Sequence, residues 1–164
     1  MEVYLSLGSN LGNRRANLAK ALRLLRDSVE IVKVSSVYDT EPVGVGEQPR
    51  FLNMMCCIDT DMGPKQLLSF VKGIESKMGR ELKLRNAPRD IDIDIIFYGD
   101  TIMDTPELII PHPRMRERAF VLVPFAEMAP EVVHPATGER VGDLAAKAEG
   151  RDGVVKKRRL GGYR

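Results

Sequence analysis

A short run of alternating acidic and apolar residues constrains the fold of this chain more than any other feature. Over residues 90–95 the two sets alternate one by one, the members being Asp90, Asp92, Asp94 and Ile91, Ile93, Ile95. This two-residue period predicts a β-strand whose opposite faces carry the two sets. Ile96 and Phe97 add to the apolar residues, so we expect a strand that packs into the core. The alternative is a solvated edge strand that its charges protect from aggregation.

The acidic face of this strand is a candidate metal site. Asp92 and Asp94 would lie about 6.6 Å apart along the strand, although like charges repel and Asp is a poor strand former. Carboxylate oxygens at this spacing suit Mg²⁺, which retains water and takes further ligands from substrate phosphates. Basic residues stand directly before the strand, namely Arg80, Lys83, Arg85 and Arg89. Carboxylates for a metal beside cations for phosphate indicate phosphoryl transfer.

The composition limits the class of protein. The chain has 164 residues, of which 43% are hydrophobic and 29% charged, as is ordinary for a globular domain with a genuine core. Its net charge of +2 is too small to indicate nucleic acid or a membrane as a bulk partner. The N-terminus lacks the pattern of a signal peptide, and no apolar run reaches the roughly 18 residues of a membrane span. We therefore expect a cytoplasmic protein, and we expect it to be a monomer.

The two cysteines support the same expectation. Cys56 and Cys57 are adjacent in a run typical of a strand, so their side chains point to opposite faces and cannot easily bridge each other. The chain offers neither of them another cysteine. We interpret both as buried thiols of a reducing compartment.

The rest of the chain supplies the other elements of an α+β fold. Apolar periodicity predicts strands at Glu2–Leu7, Glu30–Tyr38, Arg50–Asp59 and Ile91–Phe97. It predicts helices after the cap residue Asn13, from Pro64 to Gly79, at about Arg116–Met128 and, more weakly, near Val141–Ala148. The order strand–helix–strand–strand–helix–strand indicates a ferredoxin-like split βαβ fold, with an antiparallel sheet and helices packed on one face. We expect residues 1–164 to form a single domain.

Two segments have no periodic pattern. The loop Asp39–Pro49 is long for a compact domain, and loops of this length are often lids or binding loops. The tail from about residue 150 is basic, with the run Lys156-Lys-Arg-Arg159. We interpret this tail as a solvated, frayed terminus in preference to a nucleic-acid patch.

Five segments together carry a resemblance to a known family. They are Leu7–Gly12, Ser36–Pro42, Gln48–Asn53, Pro88–Asp94 and Pro111–Phe120. In their order and spacing they resemble the 6-hydroxymethyl-7,8-dihydropterin pyrophosphokinases of folate biosynthesis. The resemblance implies a ferredoxin-like fold and transfer of the pyrophosphoryl group of ATP to the hydroxymethyl oxygen of the pterin. The products would be AMP and the pterin pyrophosphate.

The resemblance also implies a nucleotide site. Asp92 and Asp94 would bridge two Mg²⁺ ions, and Arg80 and Arg89 would close on the phosphates, so that these four residues are the implied catalytic set. The further contacts that it implies with ATP are Leu68, Lys72, Glu75, Ile95, His112 and Arg118. From the residues alone, His112 between two prolines would be an exposed turn histidine.

The pterin site is implied in the same way. Phe51 and Phe120 would sandwich the ring, and Asn53 would offer a donor and acceptors to its amide edge. Thr40 and Val43 would contribute backbone groups from the first long loop. Without the resemblance, core packing would be the better interpretation of either Phe.

Two other functions compete with this interpretation. A two-metal phosphohydrolase or nuclease could use the same aspartates, but no further His, Glu or Asp cluster indicates a residue that positions water. A ferredoxin-like nucleic-acid-binding module could use the basic loops and tail, but the first and fourth strands lack aromatic residues at base-stacking spacing.

Overall fold

The computed structural model describes residues 1–41, 49–79 and 90–163. The strands are β1 (Glu2–Ser9), β2 (Glu30–Val34), β3 (Tyr38–Thr40), β4 (Phe51–Asp59), β5 (Asp92–Tyr98), β6 (Met103–Asp104), β7 (Ile109–Ile110) and β8 (Val155–Lys156). The helices are α1 (Arg14–Arg26), α2 (Pro64–Lys77), α3 (Ala119–Met128) and α4 (Val141–Ala146). In these three ranges, no helix is long and apolar enough to cross a membrane.

The main sheet is antiparallel and has the predicted split βαβ topology. β1 lies between β5 and β4, and the other side of β4 pairs with both β2 and β3. The α+β ferredoxin-like prediction is therefore confirmed. The predicted strand Glu30–Tyr38 is wrong in one respect, because it is divided into β2 and β3. At the break, the Ser35 hydroxyl accepts the backbone N–H of Met55 at 2.9 Å and so replaces a backbone carbonyl of the ladder.

Helices cover both faces of the sheet, whereas we expected them on one. α1 and α2 pack on the face that carries Leu5, Met54 and Ile93. α3 and α4 pack on the opposite face, against Tyr4 and Phe97. The alternation of side chains along each strand feeds both cores, which is why the central strands are apolar on both sides.

A β-bulge interrupts β5 in the middle. Tyr4 of β1 pairs with Phe97 and the next residue, Leu5, pairs with Ile95, so Ile96 is the extra residue. The bulge lets Ile95 pack toward α1 and α2 while Ile96 and Phe97 pack in the other core. The carbonyl oxygen of Ile96 accepts the backbone N–H of His112 at 3.0 Å, so the bulge also fixes the loop after β7.

The basic C-terminal tail is part of the fold, and the expectation of a frayed terminus was wrong. β8 pairs with β3, and Leu160 is buried in the core on the α1 and α2 side. Backbone pairing does not depend on side-chain polarity, so the charged run 156–159 gave no sign of it. Cys56 and Cys57 are both free thiols and both buried, as expected.

Candidate active site

Four residues from adjacent strands form a cross-strand row at one end of the main sheet. Gly8 of β1 pairs with Asp92 on one side and with Asn53 on the other, and Asn53 pairs in turn with Tyr38 of β3. We refer to Asp92, Gly8, Asn53 and Tyr38 as the cross-strand row. Because neighbouring strands are about 4.8 Å apart, Asp92 and Asn53 are separated by about 10 Å. The register thus places the predicted metal and pterin residues on one surface.

Gly8 keeps this surface open, and the sequence reasoning did not identify it. A Cβ atom at Gly8 would lie 2.6 Å from Nδ2 of Asn53 and 3.4 Å from a ring carbon of Phe51. The first of these distances is a steric clash, so a side chain here would displace the Asn53 amide. The sequence feature that could have indicated Gly8 is its position at the start of the Gly8-Ser9-Asn10 run. Only the strand register shows that this glycine makes room for the Asn53 amide.

Thr40 and Asn53 are joined on the floor of the site. The Thr40 hydroxyl donates to Oδ1 of Asn53 at 2.6 Å, and both side chains are buried, with exposed fractions of 2% and 5%. This bond takes up the amide oxygen and turns the amino group toward Gly8. Asn53 thus directs its amino donor toward Gly8, while Oδ1 keeps a second lone pair, and the prediction that it offers a donor and acceptors to the pterin stays a prediction.

Phe51 and Phe120 border the same surface from two different elements. Phe51 begins β4 opposite Thr40, and it is only partly buried. Phe120 lies in the first turn of α3, which begins at Ala119 and not at Arg116 as predicted. A 3₁₀ turn over Met115–Glu117 precedes the helix. Phe120 is also partly buried, at the margin of the core under α3 and α4. Phe51 thus lies beside Gly8, and Phe120 lies between Arg118 and the core.

Arg118 links the aspartates to Phe120. It is the N-cap residue of α3, and its guanidinium lies 5.5 Å from the centre of the Phe120 ring. Burial lowers the pKa of Arg118, while the charges of Asp94 and Asp92 act against that shift. Its Nε atom is buried and has no hydrogen-bond partner among the described residues. This donor and its positive charge fit an anion held next to the two aspartates.

Asp92 and Asp94 fit a hard divalent cation. Both lie on the surface of the cross-strand row, both are partly buried, and both interact electrostatically with Arg118. The described part of the chain contains no group of three or more His, Cys, Asp or Glu side chains that could hold a metal ion. Such a pair suits Mg²⁺, which is commonly held by one or two carboxylates together with waters and substrate phosphates.

His112 is partly buried, and its orientation is fixed by the backbone. Its Nδ1 accepts the N–H of Arg114 at 3.2 Å, which leaves the proton of the neutral ring on Nε2. Burial, together with the charges of Arg118 and Arg114, lowers the pKa of His112 to about 4. At neutral pH His112 therefore offers an N–H donor without a charge. The exposed turn histidine suggested by the residues alone is not observed.

The other predicted ATP contacts surround the outer edge of β5. Glu75 of α2 is buried and accepts the N–H of Ile93 at 2.9 Å, and Lys72 lies 3.2 Å from the same carboxylate. Leu68 and Ile95 pack with the core between α2 and the sheet. Glu75 thus holds the strand that carries Asp92 and Asp94. Contacts of these four residues with ATP remain predictions.

Three predicted site residues cannot be placed. Val43, Arg80 and Arg89 lie outside the described residues, as do Lys83 and Arg85. Gly79 and Asp90 are the described residues on either side of residues 80–89. A Cβ atom added to Gly79 would lie 3.0 Å from Oδ2 of Asp90. The contacts of Val43, Arg80 and Arg89 with ligands remain predictions.

The protonation of His112 gives a pH-dependent prediction. In the free protein, NMR titration should find His112 neutral down to a pH of about 4, well below the ordinary value of 6.5. Adding Mg-ATP should raise this pKa, because nearby phosphate charge favours the imidazolium. His134 is the internal control, since it packs against Phe97 in the core and its pKa should not respond to ATP. An unchanged His112 pKa on saturation would exclude its contact with the phosphates.

The same shift fixes the sign of a stability effect. Because the folded pKa of His112 lies below the unfolded one, the unfolded chain takes up the proton first as the pH falls. The contribution of neutral His112 to the free energy of unfolding is therefore complete above about pH 6.5 and is lost as the pH falls toward 4.

The fold and the described side chains together define an α+β protein with two aspartates and Arg118 on the sheet face that also carries Asn53, Phe51 and Thr40. Residues 4–130 match the model of the family described as 7,8-dihydro-6-hydroxymethylpterin-pyrophosphokinase. The chain belongs to this family, as its sequence segments indicated.

Individual relatives agree with the family match. The chain is 44% identical over 136 residues to the Bacillus subtilis 2-amino-4-hydroxy-6-hydroxymethyldihydropteridine pyrophosphokinase. This match covers 82% of this chain and 81% of that protein. It is 47% identical over 128 residues to a mitochondrial folate synthesis bifunctional protein of Arabidopsis thaliana, with coverage of 77% of this chain. The chain spans only 23% of that longer protein, and 18% of a Pneumocystis carinii folic acid synthesis protein.

Solved structures show the same fold. The wild-type HPPK-DHPS of Plasmodium falciparum superimposes with a TM-score of 0.72 at 19% sequence identity. The match covers 89% of this chain and 43% of that one. At this identity the likeness concerns the fold.

Proposed function

We propose that this chain transfers the pyrophosphoryl group of ATP to the hydroxymethyl oxygen of 6-hydroxymethyl-7,8-dihydropterin, giving AMP and the pterin pyrophosphate. The cross-strand row carries this proposal. It brings Asp92 and Asn53 onto one surface about 10 Å apart, with Gly8 leaving the space between them free and Asp94 two residues further along β5 on the same face. A pterin beside Asn53 could thus extend its hydroxymethyl group toward phosphates beside Asp92. The family match and the pyrophosphokinase relatives support the same reaction.

The phosphate half of the proposed site is built around Asp92 and Asp94. We propose that these carboxylates hold two Mg²⁺ ions, which when bound would neutralise the triphosphate and make its β-phosphorus more electrophilic. Arg118 would bind a phosphate oxygen through its buried Nε donor, and His112 would donate its Nε2 proton to another. Arg80 and Arg89 would add positive charge during transfer.

The pterin half is built from β3, β4 and α3. Phe51 and Phe120 would contact the two faces of the planar ring, which stacking favours over non-planar ligands. The Asn53 amino group, held by Thr40, would bind an acceptor on the edge of the ring. Val43 would contribute a backbone group. This division assigns pterin affinity and ATP affinity to different residues, so the two can be measured separately.

The experiment that tests the reaction is the release of AMP from Mg-ATP with and without the reduced pterin. We expect AMP only when the pterin is present, in equal amount to pterin pyrophosphate. Release of AMP, ADP or phosphate at the same rate without pterin would instead indicate a phosphohydrolase. No turnover together with binding to single-stranded nucleic acid would indicate a binding module.

A further inference from the structure

The C-terminal segment, residues 154–163, completes the sheet beside the proposed pterin pocket. Its strand β8 pairs with β3, with Tyr38 opposite Lys156 and Asp39 opposite Val155. The pairing continues where the N–H of Lys157 donates to the carbonyl of Val37 at 2.7 Å. β3 has only three residues, all paired with β4, and β8 pairs with two of them from the other side. The family match ends at residue 130, before this segment begins.

The C-terminal segment is tied to the rest of the fold beyond β8. Arg15 of α1 donates to the carbonyl oxygens of Arg158 at 2.8 Å and of Arg159 at 3.2 Å. Leu160 is buried, with 6% of its surface exposed, and Tyr163 lies under the guanidinium of Arg26 at 5.4 Å. The segment is therefore anchored at both of its ends, on β3 and on α1.

Glu127 of α3 joins this segment to β3. Its Oε1 accepts the N–H of Ser36 at 3.0 Å and the hydroxyl of Tyr38 at 2.6 Å. Its Oε2 accepts the Ser36 hydroxyl at 3.0 Å and the Arg159 guanidinium at 2.9 Å. Burial alone would raise the pKa of Glu127, but these hydrogen bonds outweigh it and the pKa is lowered. Glu127 therefore keeps its negative charge and binds both β3 and the C-terminal segment.

β3 lies between the C-terminal segment and the proposed pterin residues on β4. Tyr38 pairs with Asn53, and Thr40 at the end of β3 donates the hydrogen bond that orients the Asn53 amide. A displacement of β3 would therefore move the donor of Asn53 relative to a ligand. The phosphate side would be unaffected, because Asp92 and Asp94 lie on β5, at the far side of β1 and β4.

We propose that the C-terminal segment and Glu127 act as a positioning element for the pterin pocket, with Arg159 and the β8–β3 pairing as the two connections. The inference rests on the proposed function for the identity of the ligand. It assigns to the C-terminal segment, which lies outside the family match, and to Glu127, which lies within it, an effect on pterin affinity and none on ATP affinity.

Two pairs of variants, each made in the whole 164-residue chain, test the two connections. Arg159→Ala removes the ion pair with Glu127, and its control is Arg158→Ala, which removes an exposed neighbouring charge. Lys157→Pro removes the N–H that bonds to Val37, and its control is Lys157→Ala, which keeps that N–H. Calorimetry should measure the affinity of each variant for the pterin and for an ATP analogue with Mg²⁺, next to a melting temperature.

We expect Arg159→Ala and Lys157→Pro to weaken pterin binding roughly threefold to tenfold, with nucleotide binding and both controls unchanged. Arg159→Lys should restore part of the affinity, and Glu127→Gln should weaken pterin binding further in the Arg159→Ala background, because Glu127 also holds Ser36 and Tyr38 independently of Arg159. Unchanged pterin affinity, or an equal loss for both ligands, would overturn the inference. If the wild-type chain itself bound no pterin, the proposed function would fail instead.

Discussion

Asp92→Ala and Asp94→Ala should each lower the rate of AMP formation by roughly a thousandfold or more. The two carboxylates are the metal ligands that we propose, and losing either one leaves Mg²⁺ with too few protein contacts. A metal ion that stabilises transferring phosphate contributes several kcal/mol, and each 1.36 kcal/mol changes the rate tenfold. Steady-state AMP release at saturating pterin and a range of Mg²⁺ concentrations measures the loss.

The fold should survive either substitution. In the absence of divalent cations the two carboxylates repel each other on one strand face, while Arg118 attracts both, so removing one should change the melting temperature only little. Asp104→Ala is the matched control, because Asp104 is an exposed carboxylate on β6, away from the cross-strand row. Near-normal turnover of either site variant at moderate Mg²⁺ would refute the metal assignment, provided that the control is also normal.

The alternation over residues 90–95 predicted more of the candidate site than any other part of the chain. It correctly placed Asp92 and Asp94 on one face of a core strand and Ile93 and Ile95 on the other. It could not predict the bulge at Ile96, because two successive isoleucines are equally compatible with a regular buried strand. That bulge fixes His112, so the position of this histidine depends on structure that the pattern does not contain.

Two errors in the predicted fold, the undivided strand Glu30–Tyr38 and the frayed C-terminal tail, have a common physical origin. β2 and β3 separate because one hydroxyl, that of Ser35, substitutes for a backbone group, and serine is equally acceptable in a continuous strand. β8 forms in a basic run because the backbone groups at the edge of β3 can form hydrogen bonds with any extended segment, whatever its side chains. Backbone hydrogen bonds carry no side-chain signature, so such pairings are seen only in the structure.

Residue type alone could not predict the candidate site, because its arrangement also depends on the register of the strands. The resemblance indicated Thr40, Phe51, Asn53 and Phe120 as pterin residues. The register brings the first three to one end of the sheet, and α3 places Phe120 next to Arg118. Gly8 was missed because its role follows from an absent side chain opposite Asn53. Only the pairing of β1 with both β4 and β5 shows that this glycine lies between the two halves of the site.

Truncation of the aromatic pocket should separate the two ligands. We expect Phe51→Ala and Phe120→Ala to weaken pterin binding some tenfold to hundredfold, because removing one face of a stacked ring costs roughly 1–3 kcal/mol. Affinity for Mg-ATP should stay nearly constant in Phe51→Ala, since Phe51 lies on β4 beside Gly8 and Asn53. Calorimetric titration of each ligand into each variant measures the difference.

Phe51→Ala is the cleaner of the two variants. Phe120 also lies 5.5 Å from the Arg118 guanidinium, so its loss can release a side chain that we assign to the phosphates. Phe70→Ala provides the control, because Phe70 is a partly buried ring on α2 that packs against the opposite core. That variant should lose stability but keep both affinities. If Phe51→Ala instead unfolds, or loses nucleotide and pterin binding equally, Phe51 is a core residue and the pterin must bind elsewhere.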